Sequence, residues 1–386
     1  MDVKREVEQI KEFMVSIRRH LHKNPEPSWK EFETSKFIKE ELKKLNIPYK
    51  EIAETGIIAT IGKGGKKVAL RADIDALEIE ELNEREYKSQ KRGLMHACGH
   101  DAHVAMLLGA AKILKKYESS LLGEVRLIFQ PAEELGDGAK KIIEEGGLEG
   151  VENIFGIHVW SGLPTGKVSI GDGEIMASAD LFSIKIRGKG GHGSMPHQGV
   201  DAAVIASSIV TNLQTIVSRE INPLEPTVVS VGKLISGSRY NIIAHEALIE
   251  GTVRSFNDEI RKTIPERIER ISKGIAKAHR AEAELEYFWG PPPLKNEENS
   301  VLRAKKSAEA LFGSGAIQPL SKLMAAEDFA YYLKEIPGVF VFVGSGNKEK
   351  GTDFPHHHPK FDIDEDALLI GSALHIKYAT DYFSEQ

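Results

Sequence analysis

Residues 95–103, MHACGHDAH, concentrate side chains that can bind a metal ion. They include Cys98, the only cysteine of the chain, and His100 two residues later. One cysteine sulfur and one imidazole close together suit zinc or a similar transition metal. Two ligands do not complete a metal site, and the same stretch also fits a reduced, half-buried cysteine beside surface histidines.

The segment that follows must position this pair of side chains. Residues 104–114 form an apolar run that ends in Lys115 and Lys116, which is typical of a buried helix with cations near its C-terminus. Cys98 and His100 are therefore expected in a tight turn that leads into the helix. Because a helix N-terminus stabilises negative charge, we expect a lowered pKa for the Cys98 thiol.

Further metal-binding side chains lie downstream. They are Glu133, Glu134, His158 and the histidines at 356–358. Each has a simple structural explanation, because adjacent glutamates are usually solvated and a lone histidine in an apolar strand is usually a core residue. Taken with Cys98 and His100, the residues Glu134, His158 and one late histidine nevertheless make a set of five ligands. A single zinc ion takes about four ligands, so this set indicates two metals that share a ligand, about 3.5–4 Å apart.

The adjacent residues Glu133 and Glu134 suggest a division of roles. Neighbouring side chains in an extended or turn segment point in different directions. One carboxylate can therefore bind metal while the other faces a metal-bound water and acts as a general base.

Short buried strands alternate with helices in the first part of the chain. The N-terminal region is predicted to be helical, with a break around residues 25–27 and a second helix at about 29–45. Strands are predicted at residues 56–62, 67–73, 123–130 and 153–160. This order predicts an α/β fold whose mainly parallel sheet has helices on both faces. Asp73 and Asp75 end a strand, where such sheets bind ligands.

The pattern changes near residue 179. Asp201 can N-cap a helix, and a second helix is predicted at 258–277. Strands are predicted at 181–187, 227–235, 246–254 and 282–288. This order predicts a smaller α+β domain with an antiparallel sheet and two helices on one face. We therefore expect a catalytic metal-binding domain at 1–178 and 292–386, interrupted by a second domain at 179–291.

Composition excludes several classes of protein. The 386 residues carry a net charge of -6, which argues against a nucleic-acid surface. No apolar run approaches the ~20 residues of a membrane span, and the charged N-terminus does not resemble a signal peptide. A single cysteine cannot form an internal disulfide, so we expect a cytoplasmic protein.

Several motifs carry a resemblance to a known family. They are HACGHDAH at 96–103, QPAEE at 130–134, GIHVW at 156–160, AEDF at 326–329 and HHPKF at 357–361. In this order they closely resemble the dinuclear metal amidohydrolases, which include aminoacylases, carboxypeptidases, hippurate hydrolases and indoleacetyl-amino-acid hydrolases. The likeness runs from about residue 10 to about residue 380.

The resemblance implies roles for individual residues. The metal ligands would be Cys98, His100, Glu134, His158 and His357. His357 is favoured over its two neighbours because it precedes the x-Pro-x-Phe signature of the family. Glu133 would be the catalytic base, and His192 would stabilise the oxyanion. Asn241 and Arg254 lie where relatives bind a substrate carboxylate.

The resemblance also implies cofactors and partners. Two divalent metal ions are expected per subunit, with zinc favoured over manganese, cobalt or nickel. The interrupting domain would be a lid that also dimerises, giving a homodimer or a higher homo-oligomer. The partner is a small-molecule substrate, with no nucleic acid and no membrane.

The predicted activity is hydrolysis of the amide bond of N-acyl amino acids or of short peptides with a free C-terminal carboxylate. Metal-bound hydroxide is the nucleophile, and Glu133 accepts the proton and later protonates the leaving amine. One alternative is a dedicated deacetylase, for example of N-acetyl-diaminopimelate. Another is a thiol hydrolase with Cys98 as nucleophile and His100 or His158 as base, which would leave Glu134 and His357 unused. A metal-holding module without catalysis would not need Glu133.

Overall fold

The computed structural model describes residues 1–385. Its helices are α1 (Val3–Gln9), α2 (Lys11–Lys23), α3 (Phe32–Lys44), α4 (His100–Lys116), α5 (Gly138–Glu144), α6 (Ala202–Thr215), α7 (Asp258–Ala278), α8 (Glu298–Phe312), α9 (Ala330–Glu335) and α10 (Ala367–Ser384). Its strands are β1 (Tyr49–Ile52), β2 (Gly56–Ile61), β3 (Lys67–Asp73), β4 (Glu124–Gln130), β5 (Asn153–Pro164), β6 (Val168–Ser169), β7 (Gly173–Met176), β8 (Asp180–Arg187), β9 (Gly191–His192), β10 (Thr227–Ser236), β11 (Ile242–Ile243), β12 (Glu246–Ser255), β13 (Glu282–Phe288), β14 (Leu294–Asn296) and β15 (Gly338–Gly346).

The chain divides into two compact units. The first comprises Met1–Gly173, Lys295–Ser321 and the chain from Asp328 onward. The second comprises Glu174–Leu294 and Lys322–Glu327. The catalytic and lid roles that the sequence assigns to the interrupted and interrupting parts remain predictions.

The first unit is built on a seven-stranded sheet with the order β1-β2-β4-β3-β5-β15-β6. Its central strands β4, β3, β5 and β15 are parallel, whereas β1, β2 and β6 pair antiparallel at the edges. Strand β3 is buried along almost its whole length, as expected for a central strand covered on both faces. Helices α4 and α10 pack against β3 and β5, while α5 and α9 contact each other and strands β4 and β15. The predicted α/β class is confirmed.

The second unit has its own antiparallel sheet, with the order β10-β12-β8-β13. Buried and more exposed residues alternate along β8, so one face of the sheet is apolar. Helices α6 and α7 pack together and against this sheet, and their apolar residues form a separate core. The Asp201 side chain caps α6 by accepting from the Ala203 N–H, as predicted. The predicted α+β architecture with two helices is confirmed.

Two local differences from the sequence prediction have clear physical causes. Helix α3 begins at Phe32 rather than near Trp29, because Trp29 has a φ of 63°, in the left-handed region. Strand β1 was not predicted, since its four residues lie at the sheet edge and only Ile52 is buried. Among residues 1–385, no helix combines the length and apolarity needed to cross a membrane.

Candidate metal centre

The candidate ligands of the first unit lie at the C-terminal ends of its parallel strands. Asp73 and Gln130, the last residues of β3 and β4, are directly paired. The Pro131–Glu134 segment continues from β4, and His158 lies on neighbouring β5. This edge is where open α/β sheets bind ligands.

Gly99 sets the geometry of the turn that carries Cys98 and His100. It is the N-cap of α4 and has a left-handed φ of 91°. A Cβ atom there would lie 2.4 Å from the Val159 side chain, so only glycine fits both the conformation and the space. The turn brings Cys98 Sγ to 3.4 Å from Nε2 of His158.

His100 is oriented by Asp75. Its Nδ1 lies 2.9 Å from the Asp75 carbonyl oxygen and 3.2 Å from Oδ1 of the same residue. Donation from Nδ1 leaves Nε2 as the lone-pair nitrogen, the arrangement found in metal-ligating histidines. Nε2 is buried and has no hydrogen-bond partner among the described residues. Because an unpaired buried acceptor is costly, this atom fits a metal ion that binds it.

The two glutamates lie in a tight turn after β4. The turn begins at Ala132, whose φ is 51°, and the Glu134 N–H donates to Asp75 Oδ2 at 3.1 Å. Oε1 of Glu134 is buried, has no hydrogen-bond partner in the described part of the chain, and lies 3.9 Å from His100 Nε2. Oε2 of Glu133 also lies 3.9 Å from that nitrogen. Two carboxylates therefore face one imidazole from the same short turn.

The late histidine loop presents His357 to this cluster. Its Nε2 lies 3.6 Å from Oε1 of Glu134, and its backbone N–H donates to Ala97 O at 2.9 Å. His356 instead donates from Nε2 to the Val159 carbonyl at 2.9 Å. His358 accepts the Lys360 N–H at Nδ1. The geometry therefore favours His357 as the ligand of this loop.

The donor atoms form overlapping groups in which all atoms lie within 4.8 Å of one another. Three of the groups consist only of predicted residues: Cys98 with His100 and His158, Cys98 with Glu134 and His357, and His100 with Glu133 and Glu134. Sulfur, imidazole and carboxylate in this combination suit zinc and similar divalent ions. The shared members fit two neighbouring ions better than one, as expected from the sequence.

The electrostatics correct one expectation. Burial, followed by the Glu134 and Glu133 carboxylates, raises the pKa of Cys98 well above its usual value. The predicted lowering by the helix N-terminus is wrong for the protein without a cation, because the nearby negative charges outweigh it. A bound cation reverses this balance and favours the thiolate.

The histidines differ in their electrostatic surroundings. Burial is the main cause that lowers the pKa of His158 well below its usual value, and the neighbouring His103 and His356 imidazoles lower it further. A neutral imidazole is the form that binds metal. Burial alone would also lower the pKa of His100, but Asp73 and Asp75 raise it to about 10. A cation at Nε2 would take the place of the proton that these carboxylates favour.

Sequence reasoning missed the residues that hold the ligands in place. Asp75 contacts both His100 and the backbone of Glu134, although the sequence indicated only that it ends a strand. His103 accepts the Val159 N–H at Nε2 and contacts Asp73 through Nδ1 at 2.5 Å. Its position at the end of the HACGHDAH motif gave no indication of this role.

The other predicted site residues belong to the second unit. His192, on β9, pairs with Ile242 of β11, next to the exposed Asn241. Its Nδ1 accepts the Ser194 N–H at 3.2 Å, so Nε2 carries the proton of the neutral ring. Arg254 lies half-buried on β12 and donates to the Thr252 hydroxyl and the Val253 carbonyl. The structure thus brings His192 and Asn241 together and places Arg254 on another strand.

Similarity to known proteins identifies the family. The family model described as "Peptidase family M20/M25/M40" matches residues 69–381 of this chain. The chain belongs to this family. It is 44% identical over 362 residues to an N-acetyl-L-cysteine deacetylase of Bacillus subtilis, covering 93% of this chain and 85% of the relative. It is 40% identical to thermostable carboxypeptidase 2 of Saccharolobus solfataricus, covering 98% of both chains.

A solved structure extends the family comparison to the metal centre. It is a dinuclear metal-binding M20 peptidase of Bacillus subtilis, with a TM-score of 0.85, 36% identity and coverage of 98% of this chain and 99% of that one. The resemblance predicted from the motifs is confirmed, and the chain is a metal-dependent hydrolase of the M20 family. The dinuclear relative and the donor groups of this chain together support two metal ions.

Proposed function

We propose that this M20 hydrolase cleaves the amide bond of N-acyl amino acids or of short peptides with a free C-terminal carboxylate. One observation carries the proposal. His100 Nε2 and Glu134 Oε1 are buried, have no hydrogen-bond partner within residues 1–385, and lie together beside the Glu133 carboxylate. This arrangement supports a site in which the proposed metal ligands lie beside a proposed carboxylate base, as metal-assisted amide hydrolysis requires.

The ligand assignments follow from the donor atoms. The residues proposed to hold the two ions are Cys98, His100, Glu134, His158 and His357. When bound, divalent ions supply a water of lowered pKa and polarise the substrate carbonyl. Zinc is the ion that we propose, because the ligands combine sulfur, nitrogen and oxygen.

Glu133 is proposed as the general base and acid. It is buried and belongs to the same turn as Glu134, yet it is absent from the two donor groups that contain Cys98. In this position its carboxylate accepts a proton from the attacking water and returns it to the leaving amine. This role for Glu133, with Glu134 as a metal ligand, would give each of the two adjacent glutamates a separate task.

The second unit is proposed to bind the substrate. The protonated Nε2 of His192 can donate to an oxyanion, because Nδ1 is already occupied as an acceptor. Within residues 1–385 the Arg254 guanidinium donates to the Thr252 hydroxyl and the Val253 carbonyl and forms no ion pair with a carboxylate. Burial lowers its pKa. A half-buried guanidinium of this kind suits a substrate carboxylate, which it can bind at two points. Asn241 is proposed to assist it.

We further propose that the second unit is a lid and the contact surface of a homodimer or higher homo-oligomer, and that the protein is cytoplasmic. Whether His192 acts in its own subunit is testable. His192→Ala and Glu133→Ala proteins are mixed under conditions that allow subunit exchange. Recovery of activity means that the partner subunit supplies the histidine. No recovery, with exchange demonstrated, means that it acts within one chain.

A deacetylase dedicated to one N-acetyl amino acid is the second candidate, favoured by the deacetylase relative at 44% identity. A thiol hydrolase is disfavoured, because burial and the neighbouring glutamates raise the pKa of Cys98 and so suppress the nucleophilic thiolate.

The test is metal analysis combined with chelation and reconstitution on a substrate panel. The panel contains N-acetyl, N-benzoyl and indoleacetyl amino acids, short peptides and N-acetyl-diaminopimelate. The proposal predicts hydrolysis of several members, lost with a chelator and restored by divalent ions. Cleavage of a single N-acetyl compound supports the dedicated deacetylase. Activity that resists chelation but is lost on thiol alkylation contradicts metal-assisted hydrolysis.

A further inference from the structure

Glu31 is a fully buried carboxylate between helices α2 and α3. Its Oε1 accepts the Ala132 N–H at 3.0 Å, and its Oε2 accepts the Thr55 hydroxyl at 2.7 Å. Both partners are distant in sequence. The contact with Ala132 joins the N-terminal segment to the turn that carries both active-site glutamates.

Ala132 occupies a demanding position in that turn. Its φ of 51° lies in the left-handed region, which is unfavourable for a residue with a Cβ atom. Its buried N–H would be unpaired without Glu31. The residue after it is Glu133, and the Glu134 N–H donates to Asp75. The turn is therefore fixed at one end by Glu31 and at the other by Asp75.

Apart from the Ala132 N–H, the Glu31 side chain accepts only the Thr55 hydroxyl among the described residues. Glu31 is the N-cap residue of α3, yet its side chain makes no capping hydrogen bond to that helix. Glu26 instead caps the first turn of α3, because its Oε2 accepts the Thr34 N–H at 2.8 Å. An N-capping acceptor usually bonds its own helix, so the orientation of Glu31 towards Ala132 is distinctive.

The surrounding segment contacts the metal centre at further points. Ser28 donates from its hydroxyl to Asp75 Oδ2 at 2.7 Å. The Ala76 N–H donates to the Glu26 carbonyl at 2.8 Å. Residues 26–31 thus support the segments that hold His100 and Glu134, and Glu31 is the member that reaches the glutamate turn.

We propose that Glu31 is a positioning residue that fixes the left-handed turn at Ala132 and thereby places the Glu133 base and the Glu134 ligand. The inference rests on the proposed function, because it assigns Glu31 a task in that reaction. Misplacement of reacting groups by about 1 Å costs on the order of a hundredfold in rate. Loss of this one acceptor is therefore expected to lower kcat without removing any group that touches the substrate.

The chemistry of the contact provides a matched pair of variants. In Glu31→Gln the amide oxygen can still accept the Ala132 N–H, while its NH₂ donates to the Thr55 hydroxyl oxygen. In Glu31→Ala no acceptor remains. Glu31→Leu also lacks the acceptor but fills the volume, so it replaces the alanine variant if that protein does not fold. Glu26→Ala is the control for loss of a buried glutamate in the same segment.

Two measurements are made on each folded variant below its Tm. The first is kcat and KM for an N-acyl amino acid that the wild-type protein hydrolyses. The second is the visible d–d absorption spectrum of the cobalt-substituted protein, which reports ligand geometry without requiring turnover. Glu31→Ala should lower kcat about tenfold to a hundredfold with little change in KM, and should alter the cobalt spectrum. Glu31→Gln should stay within about threefold of wild type with an unchanged spectrum, and Glu26→Ala should lower Tm but not kcat.

Three results would overturn the positioning role. They are a variant without an acceptor that retains the wild-type kcat and spectrum, a Glu31→Gln protein as impaired as Glu31→Ala, and a Glu26→Ala protein that reproduces both losses. If the wild-type protein hydrolyses no member of the panel, the proposed function fails. The cobalt spectra still decide whether Glu31 places the ligands.

Discussion

Asp75 offers the most direct test of how the fold orients the metal ligands. Its Oδ1 lies 3.2 Å from His100 Nδ1, and its Oδ2 accepts from the Glu134 N–H at 3.1 Å and the Ser28 hydroxyl at 2.7 Å. Asp75→Ala removes all three side-chain contacts and leaves only the backbone carbonyl at 2.9 Å to orient the His100 ring. Two proposed ligands lose support in one substitution.

The magnitude follows from the number of ligands affected. Loss of a residue that orients a metal ligand usually costs 10- to 100-fold in metal affinity, or about 1.4–2.7 kcal/mol. The loss of metal affinity in Asp75→Ala should be near the upper end of this range, because the substitution affects both His100 and Glu134. Asp75→Asn keeps an oxygen for His100 but turns an NH₂ towards the Glu134 N–H, so we expect a loss of about tenfold.

Ser28→Ala is the matched control, because it removes a hydrogen bond to Asp75 but none to a ligand. Metal affinity is measured by competition with a chromophoric chelator, and the metal-free proteins are compared by thermal unfolding to confirm that they fold. The predicted order of loss is Asp75→Ala, then Asp75→Asn, then Ser28→Ala. The reasoning is refuted if Asp75→Ala binds metal as tightly as wild type, or if Ser28→Ala loses as much.

Three further predictions concern individual side chains. Cys98→Ser should lower metal occupancy and activity together, with excess metal partly restoring both, whereas a trapped acyl–cysteine adduct in the mass spectrum would contradict a ligand role. Arg254→Ala should lower kcat/KM at least about tenfold for substrates with a free carboxylate, since a charge-assisted contact contributes ~1.5–3 kcal/mol. For a carboxamide analogue of the substrate, the same substitution should lower kcat/KM little further. Burial raises the pKa of Glu31 from its usual 4.5 to about 6, so the folded state binds this proton more tightly than the unfolded state does. The free energy of unfolding should therefore fall by about 2 kcal/mol as the pH rises from 4.5 to about 6. Denaturant unfolding of metal-free Glu31→Gln should lack this loss, and identical pH profiles for the two proteins would show that Glu31 does not titrate in this way.

Much of the fold follows from local sequence patterns. Strand β3 has the predicted bounds, because its apolar residues lie between a glycine-rich turn and two aspartates. The Cys98–His100 turn was likewise recognisable, since a glycine precedes a long apolar helix. These features depend on neighbours in the chain, and so local propensity and hydrophobic periodicity are sufficient to predict them.

The supporting contacts of the site could not be predicted in this way. Glu31 and Ala132 are 101 residues apart, and Asp75 and His100 are 25 residues apart. No local pattern specifies which buried carboxylate meets which N–H, because that depends on the packing of separate strands and loops. The Cys98 pKa was mispredicted for the same reason, since its direction depends on carboxylates brought close by tertiary structure.

The central claim is that Glu134 holds metal while its neighbour Glu133 moves the proton. It is tested by measuring bound metal per chain and turnover on the same preparations of wild type, Glu133→Ala and Glu134→Ala. The account predicts about two ions per wild-type chain, a similar content but no turnover in Glu133→Ala, and loss of metal with activity in Glu134→Ala. A Glu133→Ala protein with near-normal kcat, or a Glu134→Ala protein with full metal content and activity, would contradict it.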